Sequence, residues 1–121
     1  MLHLNYKKYG TGKTLIIIHG FLGSLDNWQT LATEWGRNGF EVYALDMRNH
    51  GRSPHTNEHS ISLMVDDTIS FLDQQKMAKA DFLGHSMGGK IVMEFALKFP
   101  EKVNKLIVLV IFGDCMTILQ I

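Results

Sequence analysis

Asp81-Phe82-Leu83-Gly84-His85-Ser86-Met87-Gly88-Gly89 is the stretch that decides the fold. It begins as a short apolar run and turns at once into a glycine-flanked serine. Asp81 to His85 reads as a buried strand. The residues from Met87 read as a helix, because Ile91, Phe95, Ala96 and Phe99 form one apolar stripe and Pro100 stops it. Gly84 to Gly88 fits the pattern G-x-S-x-G. A serine between a strand and a helix must sit on a very tight turn with strained backbone angles. Gly84 and Gly88 keep side chains out of that turn, so the Ser86 Oγ projects from the top of the sheet. The helix starting at Met87 aims its N-terminal N–H groups at the same space, where developing negative charge is stabilised.

Similar runs recur on both sides of this stretch. Leu15-Ile16-Ile17-Ile18-His19, bounded by Gly12 and Gly20, reads as a strand buried on both faces. Val42 to Asp46 is another, Leu106 to Phe112 is the most apolar, and Leu2 to Tyr9 forms an early strand. Helical spacing fills the gaps. Ser24 or Asp26 caps a helix carrying Trp28, Leu31, Ala32 and Trp35, which ends between Gly36 and Gly39; Ser60 caps a second with Val65, Ile69 and Leu72 on one stripe. Alternation of strands and helices predicts an α/β fold: a mostly parallel sheet of about 4–5 strands with helices on both faces and right-handed crossovers. Ligands of such sheets bind at the carboxyl ends of the strands.

Composition excludes several classes. A chain of 121 residues makes one domain and hides roughly two-thirds of its unfolded surface. Twelve basic side chains balance twelve acidic ones, which leaves no footprint for nucleic acid or an anionic membrane. Cys115 is the single cysteine, so neither an internal disulfide nor a cysteine zinc site is available. No metal or cofactor is expected. Residues 1–6 show no charged segment followed by an apolar run, and no apolar stretch reaches about 18 residues. The expectation is a soluble cytoplasmic domain. Gly10-Thr11-Gly12-Lys13-Thr14 looks like the end of a phosphate-binding loop, but Lys7 stands where the pattern needs glycine, and a strand follows instead of a helix.

The first strand of the central set ends in His19-Gly20-Phe21-Leu22-Gly23. Beside Ser86, a backbone N–H of this loop can complete an oxyanion hole, and Phe21 N–H is the assigned donor, together with Met87 N–H. With Asp46-Met47-Arg48-Asn49-His50-Gly51-Arg52-Ser53-Pro54-His55 and Gly84-His85-Ser86-Met87-Gly88-Gly89-Lys90, the chain resembles the N-terminal half of an α/β-hydrolase, within the small esterases acting on short acyl esters and acyl-CoA-type thioesters. The resemblance covers about residues 2–109 and leaves 110–121 as a divergent tail. It implies Ser86 as nucleophile, Phe21 and Met87 as backbone oxyanion donors, and His19, Gly20 and His85 at the substrate. Dehalogenase- and epoxide-hydrolase-like relatives carry Asp at the nucleophile position, so Ser86 implies ester or thioester hydrolysis.

A serine hydroxyl needs a general base, and in this fold the acid and the histidine follow the serine. All six histidines, at positions 3, 19, 50, 55, 59 and 85, precede Ser86. The position aligned with the family's acid holds Val110, and Asp114 comes four residues later. His85 is expected to point away from the Ser86 hydroxyl, His19 to orient backbone, His50 and His55 to stabilise a loop or face substrate, and His3 and His59 to lie on the surface. Asp46, Arg48 and Arg52 are expected to hold the loop after the second central strand. Trp28 and Trp35 are expected in core and rim.

Three expectations follow. The first is a serine esterase or thioesterase in a truncated, weakly active or inactive chain, with a small acyl ester or thioester as its partner. The second is a non-catalytic half-domain that binds another chain, or itself, through Leu106 to Phe112 as an exposed edge strand. The third is a chain that does not fold stably alone.

Overall fold

A computed structural model describes residues 2–112 and 115–120, with side chains up to Leu109. The strands are β1 (Tyr6–Tyr9), β2 (Lys13–Ile18), β3 (Phe40–Leu45), β4 (Ala80–His85), β5 (Val103–Phe112) and β6 (Cys115–Gln120). The helices are α1 (Gln29–Gly36), α2 (Ile61–Gln74) and α3 (Met87–Lys98). All six strands form one sheet in the order β1-β3-β2-β4-β5-β6. The four central strands run parallel; β1 and β6 lie antiparallel at the two edges.

The continuous apolar runs are explained by two covered faces. Successive strand side chains point to opposite sides. Ile16, Ile18, Tyr43, Leu45, Phe82, Leu106 and Val108 face the helices α2 and α3, where Phe71, Leu72, Ile91 and Phe95 are buried. Leu15, Ile17, Val42 and Leu83 face Trp28 and Ala32 at α1. Each fully buried side chain of this size stabilises the fold by about 1.5–3 kcal/mol.

The α/β class and its helix placement agree with the reading of the sequence. Two details differ. The sheet has six strands rather than four or five, and the sixth, β6, falls in the stretch read as a tail. β5 is therefore not an edge: it pairs with β4 on one side and with β6 on the other, from Ile107↔Gln120 to Phe112↔Cys115. The second difference is Leu31, which is 46% exposed. A 3-10 turn, Leu25–Trp28, precedes α1 and is capped by Ser24 and Asn27. Its tighter winding breaks the even helical spacing between Trp28 and Leu31. Ser60 caps α2 as expected, its Oγ accepting from Leu63 N–H at 3.0 Å. Asp114 and the Val110 side chain lie outside the described residues. Among the described residues, no helix is long and apolar enough to cross a membrane.

Candidate active site

Ser86 stands between β4 and α3 at φ 55°, ψ −112°, a backbone conformation that L-residues rarely adopt. Close approach forces the turn. A Cβ on Gly84 would strike the backbone of Gly88, and one on Gly88 would strike the carbonyl oxygens of Ile18 and His19. The Ser86 N–H donates to the Leu109 carbonyl at 3.0 Å, tying the elbow to β5. Its side chain is exposed, while Met87, Gly88 and Gly89 behind it are buried. Among the described residues, no hydrogen bond is donated by the N–H of Phe21 or Met87. The latter is the first helical N–H of α3, a donor with no partner within its helix.

The loop carrying Phe21 is held from below by the stretch after β3. Asp46 accepts from Leu25 N–H at 2.8 Å, Arg52 N–H at 3.0 Å and the Asn5 side chain at 2.9 Å. His50 Nε2 accepts from Leu22 N–H at 3.2 Å, and its Nδ1 bonds the Arg48 carbonyl at 2.9 Å. Arg48 makes a two-pronged ion pair with Asp67 on α2, at 2.6 and 2.9 Å, with both side chains buried. The Asp67 hydrogen bond holds Arg48 further into its charged form. Asp46, Arg48 and His50 are thus loop anchors, as expected. Arg52 contributes through its backbone N–H.

His19 is 1% exposed and has both ring nitrogens engaged. Met47 N–H donates to Nε2 at 3.0 Å, so the ring proton sits on Nδ1, which donates to the Gly20 carbonyl at 2.8 Å. Burial pushes its pKa below the ordinary value of 6.5. The expectation that His19 contacts substrate is therefore corrected: the ring is enclosed and works on backbone alone.

Two clefts open around this loop. One, of about 580 Å³, is lined by Gly20, Phe21, Trp28, Leu31, His85 and Leu109, among others. The other, of about 370 Å³, is lined by Phe21, His59, Ser60, Ile61, Met64, Ser86, Met87 and Lys90. Phe21, 62% exposed, borders both. His85 and Ser86 face different clefts, although adjacent in sequence. His85 stacks edge-on to Trp28 with ring centres 6.0 Å apart. Gly20 and His85 line the cleft that does not include Ser86; His59 is exposed, as expected of a surface residue, and lines the cleft that holds Ser86. His3 and His55 are exposed, and neither lines the clefts beside Phe21.

The chain is similar to known proteins in sequence and in fold. The chain is 44% identical over 95 residues to an abhydrolase domain-containing protein of Schizosaccharomyces pombe, covering 78% of this chain and 35% of that protein. It is 40% identical over 93 residues to esterase YbfF of Escherichia coli, covering 77% and 36%. Among solved structures, a marine microorganism esterase matches with a TM-score of 0.86 and 46% identity, over 89% of this chain and 41% of the other. The chain thus spans little more than a third of the length of these two curated relatives. A family model described as "alpha/beta hydrolase fold" matches residues 13–120, and the chain belongs to that family.

Proposed function

We propose that Ser86 is the nucleophile of a serine hydrolase that cleaves carboxylic esters or thioesters. The Ser86 Oγ attacks the acyl carbon, its proton passes to a base, and the carbonyl oxygen takes up negative charge. Phe21 N–H and Met87 N–H stabilise that oxyanion. Collapse breaks the C–O or C–S bond, the leaving alcohol or thiol takes the proton, and the acyl group stays on Ser86 until water removes it. The observation that carries this reading is the strained, exposed Ser86 in one cleft with Phe21 and Met87, whose N–H groups have no partner among the described residues.

The base is not supplied by the histidines of this chain. His19 and His50 have both nitrogens engaged, and His85 faces the other cleft; His59 borders the cleft of Ser86 but its Nδ1 already accepts from Asn49, and His3 and His55 line neither cleft. Acylation of the chain alone is accordingly slow, at the residual level that binding and an oxyanion hole give without a base. Water in the second step lacks a base as well, so the acylated chain persists. Incubation with p-nitrophenyl butyrate, followed by intact-mass and peptide mass spectrometry, tests this. The expected result is one butyryl group on the peptide containing Ser86 and none in Ser86→Ala. Equal labelling of Ser86→Ala, or labelling only elsewhere, overturns the assignment.

A further inference from the structure

We infer that the cleft between α2 and α3 receives an anionic group of the substrate, held by Lys90 and His59 next to Ser86. The inference rests on the ester or thioester reading above and names the substrate class within it: an ester whose acyl or alcohol part carries a carboxylate or phosphate.

The charge pattern of the cleft is one-sided. Its lining includes Lys90 and no acidic side chain. Lys90 is exposed and belongs to none of the ion pairs among the described residues; Glu94, one turn further along α3, is not within salt-bridge distance of it. Of the nearby acids, Asp67 holds Arg48 and Asp66 pairs with Lys98 at 3.1 Å, while Glu58 and Glu94 line other clefts. The first turns of α2 and α3 also border the cleft through Ile61 and Met87, adding partial positive charge.

His59 is set up as a donor rather than a base. Asn49 Oδ1 accepts from Thr56 N–H at 2.6 Å, which fixes which way the amide faces. Its Nδ2 therefore donates to the Glu58 carbonyl at 3.0 Å and to His59 Nδ1 at 3.1 Å. An Nδ1 that accepts leaves the proton of the neutral ring on Nε2. No partner for that Nε2–H occurs among the described residues. An ammonium and an imidazole N–H, both bordering the cleft of Ser86, suit an acceptor that carries negative charge.

Binding, read by amide shifts in NMR titrations of the whole chain, tests the inference without turnover. Monomethyl glutarate is compared with neutral methyl pentanoate, and 2-acetoxyethyl phosphate with neutral 2-methoxyethyl acetate. The first pair places the anion on the acyl side of the scissile carbonyl, the second on the alcohol side. In at least one pair the anionic ester is expected to bind about fivefold more tightly, with the preference shrinking in molar salt. Lys90→Gln is expected to abolish the preference and leave the neutral ester unchanged; His59→Phe is expected to reduce it. Equal binding within both pairs, no binding of any ester, or a preference that survives Lys90→Gln overturns the inference. Ser86→Ala is expected to keep the preference. An anion preference without acylation of Ser86 therefore refutes the nucleophile assignment alone, and acylation without preference refutes the anion site alone.

Discussion

Ser86 and His19 show how single residues carry opposite kinds of constraint. Ser86 holds φ 55°, ψ −112° because the packing of Gly84 against Gly88 leaves no other path from β4 into α3. Strain of this kind costs about 1–3 kcal/mol, and an exposed hydroxyl returns little of it. Ser86→Gly is therefore expected to raise stability by about 1 kcal/mol in urea denaturation, while Ser86→Ala, which keeps the strain, leaves it nearly unchanged. A loss of stability in Ser86→Gly would contradict a strained elbow. His19 stores its constraint in a proton. Its folded pKa lies below 6.5, chiefly through burial, so below that value the unfolded chain binds more protons than the folded one. The contribution of His19 is whole above pH 6.5 and is lost as pH falls from there towards its lowered folded value. The unfolding free energy is expected to fall between about pH 8 and about pH 5, by up to about 1.4 kcal/mol per pH unit from this one group. His19→Gln is expected to start lower and to lose less over the same range. An equal slope in the variant would count against His19 as the source.

At the scale of elements, the loop after β3 acts as a clamp between the Phe21 loop and α2. Asp46 and His50 hold Leu25 and Leu22 from one side, and Arg48 reaches Asp67 from the other. Removing one partner of a buried pair leaves an uncompensated charge. Asp67→Ala is expected to cost about 3–5 kcal/mol, and the joint change Arg48→Met with Asp67→Leu to recover more than half of it. Urea midpoints of the three proteins decide the matter; a joint variant as weak as the single one would show that the pair itself is needed. These links also mark what the sequence could and could not tell. The Ser86 elbow is legible because its sterics are local: glycine, serine and glycine lie within five residues of one turn. Asp46 and Arg48 are legible as loop anchors, but not their partners, since contacts between positions about twenty residues apart depend on how the strands are ordered. His59 is legible as a surface residue, and it is exposed, but its place beside Ser86 is not, because nothing near it in sequence says that α2 starts beside α3. The Leu31 spacing misled because a 3-10 turn and an α-helix join within one apolar stripe.

For the whole molecule, sheet order sets where the fold is firm. β2 and β4 lie at the middle of the sheet, paired on both sides and covered by α1 on one face and by α2 and α3 on the other. Among the described residues, β1 and β6 each pair on one side only. The sequence shows the middle strands clearly, because burial on both faces demands unbroken apolar runs such as Leu15 to Ile18. It hides β6, because a strand added after Phe112 is defined by its register on β5 and not by a pattern of its own. Local opening draws first on elements with few packed neighbours. Amide hydrogen exchange is therefore expected to be slowest in Ile16–Ile18 and Phe82–Gly84, intermediate in β3 and β5, and fastest in β1 and β6, with the Phe21 loop faster than β2, from which it springs. The same order bears on association. An open edge invites strand addition; among the described residues the edge strands are β1 and β6, whereas β5 is covered. If protection in β6 rises with protein concentration while that of β1 does not, copies of the chain meet at β6. If β6 is as protected as β4 at the lowest concentration measured, its one-sided pairing is not what limits its opening, and the ranking by sheet position is wrong.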